Sequence, residues 1–92
     1  MNIQQRLRAL SDEVGTIKTE LRILDEQIEF QTGVADDARL RAIVSETPLA
    51  DRESQEASED LTRMIRSRDD AQKRLDGLLA EQDSLLERML ER

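Results

Sequence analysis

Residues 45–50 read Ser45-Glu46-Thr47-Pro48-Leu49-Ala50, and this stretch decides the fold. Pro48 cannot continue an incoming helix, and its ring pushes Thr47 out of the α region. Thr47 as N-cap with Pro48 at the first helical position is a good helix start. One helix is therefore expected to end near Val44 or Ser45 and another to begin near Pro48.

Moving outward toward the N-terminus, a 4-3 spacing picks out Ile3, Leu7, Leu10, Val14, Ile17, Leu21, Leu24 and Ile28. It continues through Gln31, Ala35, Ala38 and Ala42. This is the pattern of a coiled-coil seam, not the alternation of a strand. Toward the C-terminus the same spacing picks out Ala57, Leu61, Met64, Arg68, Ala71, Leu75, Leu78, Gln82, Leu85 and Met89. Arg68 and Gln82 interrupt that stripe. Polar residues at seam positions specify register or partner number at some cost in stability.

Folding the chain at residue 46 pairs position n with 92 − n. Val14 then meets Leu78, Ile17 meets Leu75, Leu21 meets Ala71, Ala35 meets Ala57, and Ile43 meets Leu49 at the turn. Short connections imply antiparallel neighbours. The expected fold is all-α: one domain over residues 1–92, a long antiparallel helical hairpin. The first arm covers about 2–44, the turn 45–48 and the second arm about 48–91. At a rise of about 1.5 Å per residue each arm is about 60–65 Å long.

Gly33 disturbs this simple picture, because a helix-interior glycine costs roughly 1 kcal/mol against alanine. Beyond it Val34, Leu40, Ile43 and Val44 follow a shifted phase. A kink or break at Gln31-Thr32-Gly33 is one expectation, with Asp36 as cap of a short helix over about 35–45. Gly15 and Gly77 face one another in the mirror and read as tolerated helix glycines. One hairpin also leaves apolar side chains without cover. Ile65, Leu79 and Leu86 widen the second stripe, while Ile23 and Phe30 lie away from the first. The expected cover is a second copy, making a homodimer with a four-helix bundle; a partner protein is the alternative.

Composition narrows the function. The 92 residues contain no Cys, His, Trp or Tyr, and Phe30 is the sole aromatic. No disulfide framework, thiolate zinc site or His-based triad can be built. The three glycines stand apart and form no phosphate-cradling loop. No catalytic residue, metal site or cofactor is expected, and the chain reads as a non-enzyme. No apolar run approaches membrane-spanning length and no secretory signal is visible. The expectation is a soluble, cytoplasmic protein with no membrane association.

Charged residues make up 38% of the chain, and the net charge is −7. Residues 1–46 carry six basic against nine acidic side chains, and residues 47–92 carry eight against twelve. Such a balance disfavours nucleic acid, whose nonspecific binding rests on neutralising phosphates. The local basic stretch Arg63, Arg66, Arg68, Lys73 and Arg74 is interleaved with Asp69 and Asp70 and reads as a solvated face with intrahelical ion pairs. At the start of the second helix Asp51, Glu53 and Glu56 suit the positive end of the helix dipole. They also stand at the turn of a long hairpin, where acids could bind a partner.

The run Pro48-Leu49-Ala50-Asp51-Arg52-Glu53-Ser54-Gln55-Glu56 resembles the coiled-coil tip of DksA/TraR-type transcription factors and, more loosely, the acidic-tipped hairpin of Gre-type cleavage factors. The resemblance implies a hairpin that enters the secondary channel of RNA polymerase, with the second tip acid falling on Asp51. The first acid position is Pro48 here, and the family's alanine position is Glu53. A second, partial resemblance is to c-di-GMP-binding anti-sigma hairpins. Arg68, Gln72 and Asp76 keep three of that motif's spacings, while the earlier positions are Leu61 and Ile65. The expected function is a protein–protein interaction module or regulator, with the transcription machinery as candidate partner. The alternatives are a self-assembling structural coiled coil and a hairpin that senses an anionic ligand such as a cyclic dinucleotide.

Overall fold

The computed structural model describes residues 2–91. It consists of two α-helices of 43 residues each, α1 (Ile3–Ser45) and α2 (Pro48–Leu90). Only Glu46 and Thr47 separate them, giving the all-α helical hairpin expected from the turn chemistry. No strand occurs among the described residues.

The turn is made of two complementary caps. Glu46 takes a left-handed φ of 51°, and its N–H donates to the carbonyl of Ala42 at 3.1 Å. This is a single-bond left-handed C-cap, which satisfies a helix-end carbonyl. Thr47 then opens α2. Its hydroxyl accepts from the Ala50 N–H at 3.2 Å, and its carbonyl accepts from the Asp51 N–H at 3.1 Å. Pro48 follows at the first helical position, where its missing N–H costs nothing. At the other end of α1, Asn2 and Gln5 form a reciprocal capping box. The Gln5 N–H donates to Asn2 Oδ1 at 2.8 Å, and the Asn2 N–H donates to Gln5 Oε1 at 3.1 Å.

The helices pack as two units. The terminal unit joins α1 up to Arg22 with α2 from Asp69 onward. Its core is large and aliphatic: Leu10, Val14, Ile17 and Leu21 from α1, with Ala71 and Leu75 from α2. The turn unit comprises Ile23–Arg68. Its core is small: Ala35, Ala38 and Ala57 form one cluster, with Val34 and Leu61 packed against it. The expected pairing of Ala35 with Ala57 is realised in that cluster. Alanine lets helix axes approach closely, because interaxial distance follows the side chains at the contact.

Polar cross-helix bonds agree with the folded register. Arg6 meets Glu81 and Arg74 meets Glu20 in the terminal unit; Arg68 meets Asp25 and Gln31 meets Ala57 in the turn unit. Each partner lies within about a turn and a half of the position given by 92 − n.

Two sequence expectations are corrected. First, α1 runs through Gly33 as one helix, and Asp36 is not a cap but an interior residue 3.9 Å from Arg39. The residues around Gly33 hold the helix on course. Gln31 is buried and bonded to α2, and Ala35 and Ala38 follow in the seam. Second, Ile43 and Leu49 do not close over the turn: they remain 65% and 62% exposed, and the buried residue beside the turn is Ala50. Gly15 and Gly77 behave as tolerated helix glycines, since a Cβ at either would meet nothing within 4 Å. No helix among the described residues is long and apolar enough to cross a membrane.

Candidate functional site

The turn unit presents an unusual share of large aliphatic side chains to solvent. The seam passes through Ala35, Ala38 and Ala42 in the last turns of α1, which leaves the bulkier Leu40, Ile43 and Val44 on outward positions. Leu40 is 61% exposed and Val44 82%. Leu49, at the second position of α2, joins Ile43 in this group. Leu40, Ile43 and Val44 share one face of α1 by their 3-4 spacing, and Leu49 stands just past the turn on α2.

The acids of the turn divide between two flanks. Asp51 lines a hollow with Arg39, Ile43 and Ser54. Glu53 and Glu56 line a different one with Val34, Arg41 and Asp60. At about 100° per residue, positions 51 and 53 point about 160° apart around α2. The three residues expected to form one acidic tip are therefore not brought together.

The apolar residues expected to form an oligomer interface are likewise distributed. Ile23 (43% exposed) and Phe30 (75% exposed) share a hollow with Gln27, Gln31 and Met64 in the turn unit. Gln31 also lines the hollow of Glu53 and Glu56, so these two hollows adjoin on one flank. Ile65, 43% exposed, continues by sevens the row of Asp51 and Ser58, which belongs to the other flank. In the terminal unit Leu79 is half-buried and Leu86 is 44% exposed.

Of the two seam residues singled out by sequence, Arg68 is half-buried and its Nε donates to Asp25 Oδ1 at 3.1 Å. Gln82 is half-buried in the terminal unit. Sequence reasoning missed Gln31. It is the buried polar residue of the seam, and its Nε2 donates to the Ala57 carbonyl at 3.0 Å. A helical carbonyl has a second lone pair to accept such a bond. The signal was present, because Gln31 stands in the 4-3 stripe as Arg68 and Gln82 do.

Three arginines of the basic segment, Arg63, Arg68 and Arg74, are engaged with the hairpin's own carboxylates. Arg63 pairs with Asp60 and Arg74 with Glu20. Gln72 donates to Asp76 at 2.9 Å, and Arg68 reaches Asp25, so the Arg68, Gln72 and Asp76 spacing serves bonds within the fold. The best-defined ion pair is Arg6 with Glu81, a two-pronged contact at 2.6 and 2.9 Å. The hydrogen bond from Arg6 chiefly holds the Glu81 carboxyl below its ordinary pKa, against a smaller opposing effect of desolvation. The same bond raises Arg6.

Among the described residues no three acidic side chains are placed to hold a metal ion. The arrangement offers shape, apolar area and charge at the surface. No protein-family model, curated protein or solved structure matches the chain.

Proposed function

We propose that this chain is a non-enzymatic interaction module that presents the turn of its hairpin to a larger protein. The observation that carries the reading is the exposure of Leu40, Ile43, Val44 and Leu49 at 61–82% around a two-residue turn. Fully burying one such side chain is worth about 1.5–3 kcal/mol, and clustered exposed apolar surface marks interaction sites. The absence of Cys and His from the sequence supports the non-enzymatic part. The resemblance of residues 48–56 to secondary-channel factors suggests RNA polymerase as the partner, with Asp51 as the tip acid.

The test is direct binding to purified RNA polymerase from the same cells, comparing the unmodified chain with Ile43→Ser/Leu49→Ser and with Asp51→Asn. The double variant is expected to lose at least tenfold in affinity. No binding by the unmodified chain would remove the polymerase as partner. Equal binding by all three would remove the turn as the contact surface.

A second reading is self-assembly, and it rests on exposed apolar side chains that each unit carries, Ile65 in the turn unit and Leu86 with Leu79 in the terminal unit. Ile65 and Leu86 are each more than two-fifths exposed, and Leu79 is half-buried. A second copy packed there would make a four-helix bundle. Sedimentation of Ile65→Asp/Leu79→Asp against the unmodified chain decides it: a bundle is expected to dissociate, and a monomer in both cases ends this reading.

A further inference from the structure

The flank of the turn unit that carries Phe30 combines two features. Its first hollow is apolar, with Ile23, Phe30 and Met64 around Gln27 and Gln31. Phe30 is the chain's one aromatic residue and stands 75% in solvent. The adjoining hollow continues with half-buried Val34 and is rimmed by Glu53, Glu56 and Asp60. Asp60 is held by Arg63, while Glu53 and Glu56 share their hollow with one guanidinium, that of Arg41. The hollow on the opposite flank is lined by one of each, Arg39 and Asp51.

An apolar strip with an acidic rim is complementary to an amphipathic helix whose apolar face is bordered by Lys or Arg. The apolar part runs about 17 Å along α1, from Ile23 to Val34, and with the acidic hollow beyond it the flank reaches about 27 Å, to Arg41, enough for a partner helix of about 18 residues. A second copy of this chain fits it poorly, because pairing through this flank would set two acidic rims against each other. We infer that the Phe30 flank of the turn unit is a docking groove for a basic amphipathic helix of a partner protein. This rests on the hairpin being an interaction module, and it names the chemistry of what one of its faces takes.

The probe is a capped 18-residue peptide of Leu and Lys in helical 3-4 spacing with a single Trp. The chain has neither Trp nor Tyr, so the peptide's indole is the sole emitter. Emission is expected to shift to the blue and saturate on titration with the full chain, and affinity is expected to fall as salt rises. Phe30→Ser, a change at an exposed site checked for folding by circular dichroism, is expected to weaken binding at least tenfold. Glu53→Gln/Glu56→Gln is expected to weaken it severalfold and flatten the salt dependence. The same peptide with Glu in place of Lys is expected not to bind at these concentrations.

Equal affinity of the basic and acidic peptides, or no effect of Phe30→Ser, would overturn the proposal. So would no binding at all by the unmodified chain. Sedimentation in which Phe30→Ser turns a dimer into a monomer would overturn it as well, by showing that a second copy fills the groove. The Ile43→Ser/Leu49→Ser variant leaves this groove intact, so failure here and failure at the turn are read separately.

Discussion

Gln31 donates its side-chain N–H to the carbonyl oxygen of Ala57, 3.0 Å away across the seam of the turn unit. Around it the seam is alanine, which has little shape of its own to distinguish one register from the next. Sliding the helices by less than a turn would take the buried amide off its carbonyl before it reached the next one, at a cost of about 1–3 kcal/mol. Gln31→Leu is therefore expected to unfold within about 1 kcal/mol of the wild type, or later, because the removed polar group is replaced by apolar volume. Its amide NMR spectrum is expected to show more than one set of signals around Ala57. A single sharp set would contradict the role given to Gln31.

The three helix glycines touch nothing on the side where a Cβ would stand. Each Gly→Ala replacement at 15, 33 and 77 is expected to add about 1 kcal/mol. For a chain of this size that is about 4–8 °C in Tm per site. Loss of stability in thermal unfolding of Gly33→Ala would mean that α1 needs a backbone at this point that alanine resists.

Glu46 holds a left-handed φ that costs a residue with a Cβ about 1–2 kcal/mol. Asparagine tolerates this region better, so Glu46→Asn is expected to raise the urea midpoint. Thr47→Ala removes the acceptor of the Ala50 N–H and is expected to cost about 1 kcal/mol. Opposite shifts of the two variants in one denaturation series would verify the pair of caps.

The depressed pKa of Glu81 links stability to pH with a defined sign. Folding then favours the ionised carboxylate, so the contribution is fully present above the ordinary carboxylate value. It is lost as pH falls through the lower folded value. The Tm difference between wild type and Glu81→Gln is expected to be greatest near neutrality and to vanish in strong acid. Both side chains are partly exposed, so solvent and salt keep the effect small. A difference that persists unchanged in acid would point to packing and not to charge.

The hairpin was legible because its signals are local. Thr47-Pro48 marks the turn, and the two stripes fix which faces meet. What escaped depends on angle and reach. Asp51 and Glu53 are neighbours in the sequence, yet nearly opposite on α2, so a short acidic run became two separate surfaces. Gln31 stood in the stripe without being singled out, because its partner is a backbone carbonyl, which no side-chain pattern encodes. The Asn2 and Gln5 capping box also went unread, although its three-residue spacing is in the sequence. Gly33 misled because the helix propensity of one residue is a weak prior that tertiary packing overrides.

A connection of two residues also sets an order of events. Contacts near the turn close short loops: Ala38 and Ala57 are separated by fewer than twenty residues, whereas Arg6 and Glu81 stand 75 apart. Loop-closure entropy rises with the logarithm of that separation, by about 1 kcal/mol between the two. The hairpin is therefore expected to zip from Glu46 outward, each paired layer shortening the loop that the next must close. Ala57→Gly is expected to slow folding and Leu10→Ala to speed unfolding, a contrast that stopped-flow kinetics would read. On this account the alanine seam beside the turn is also the starting point from which the termini are drawn together.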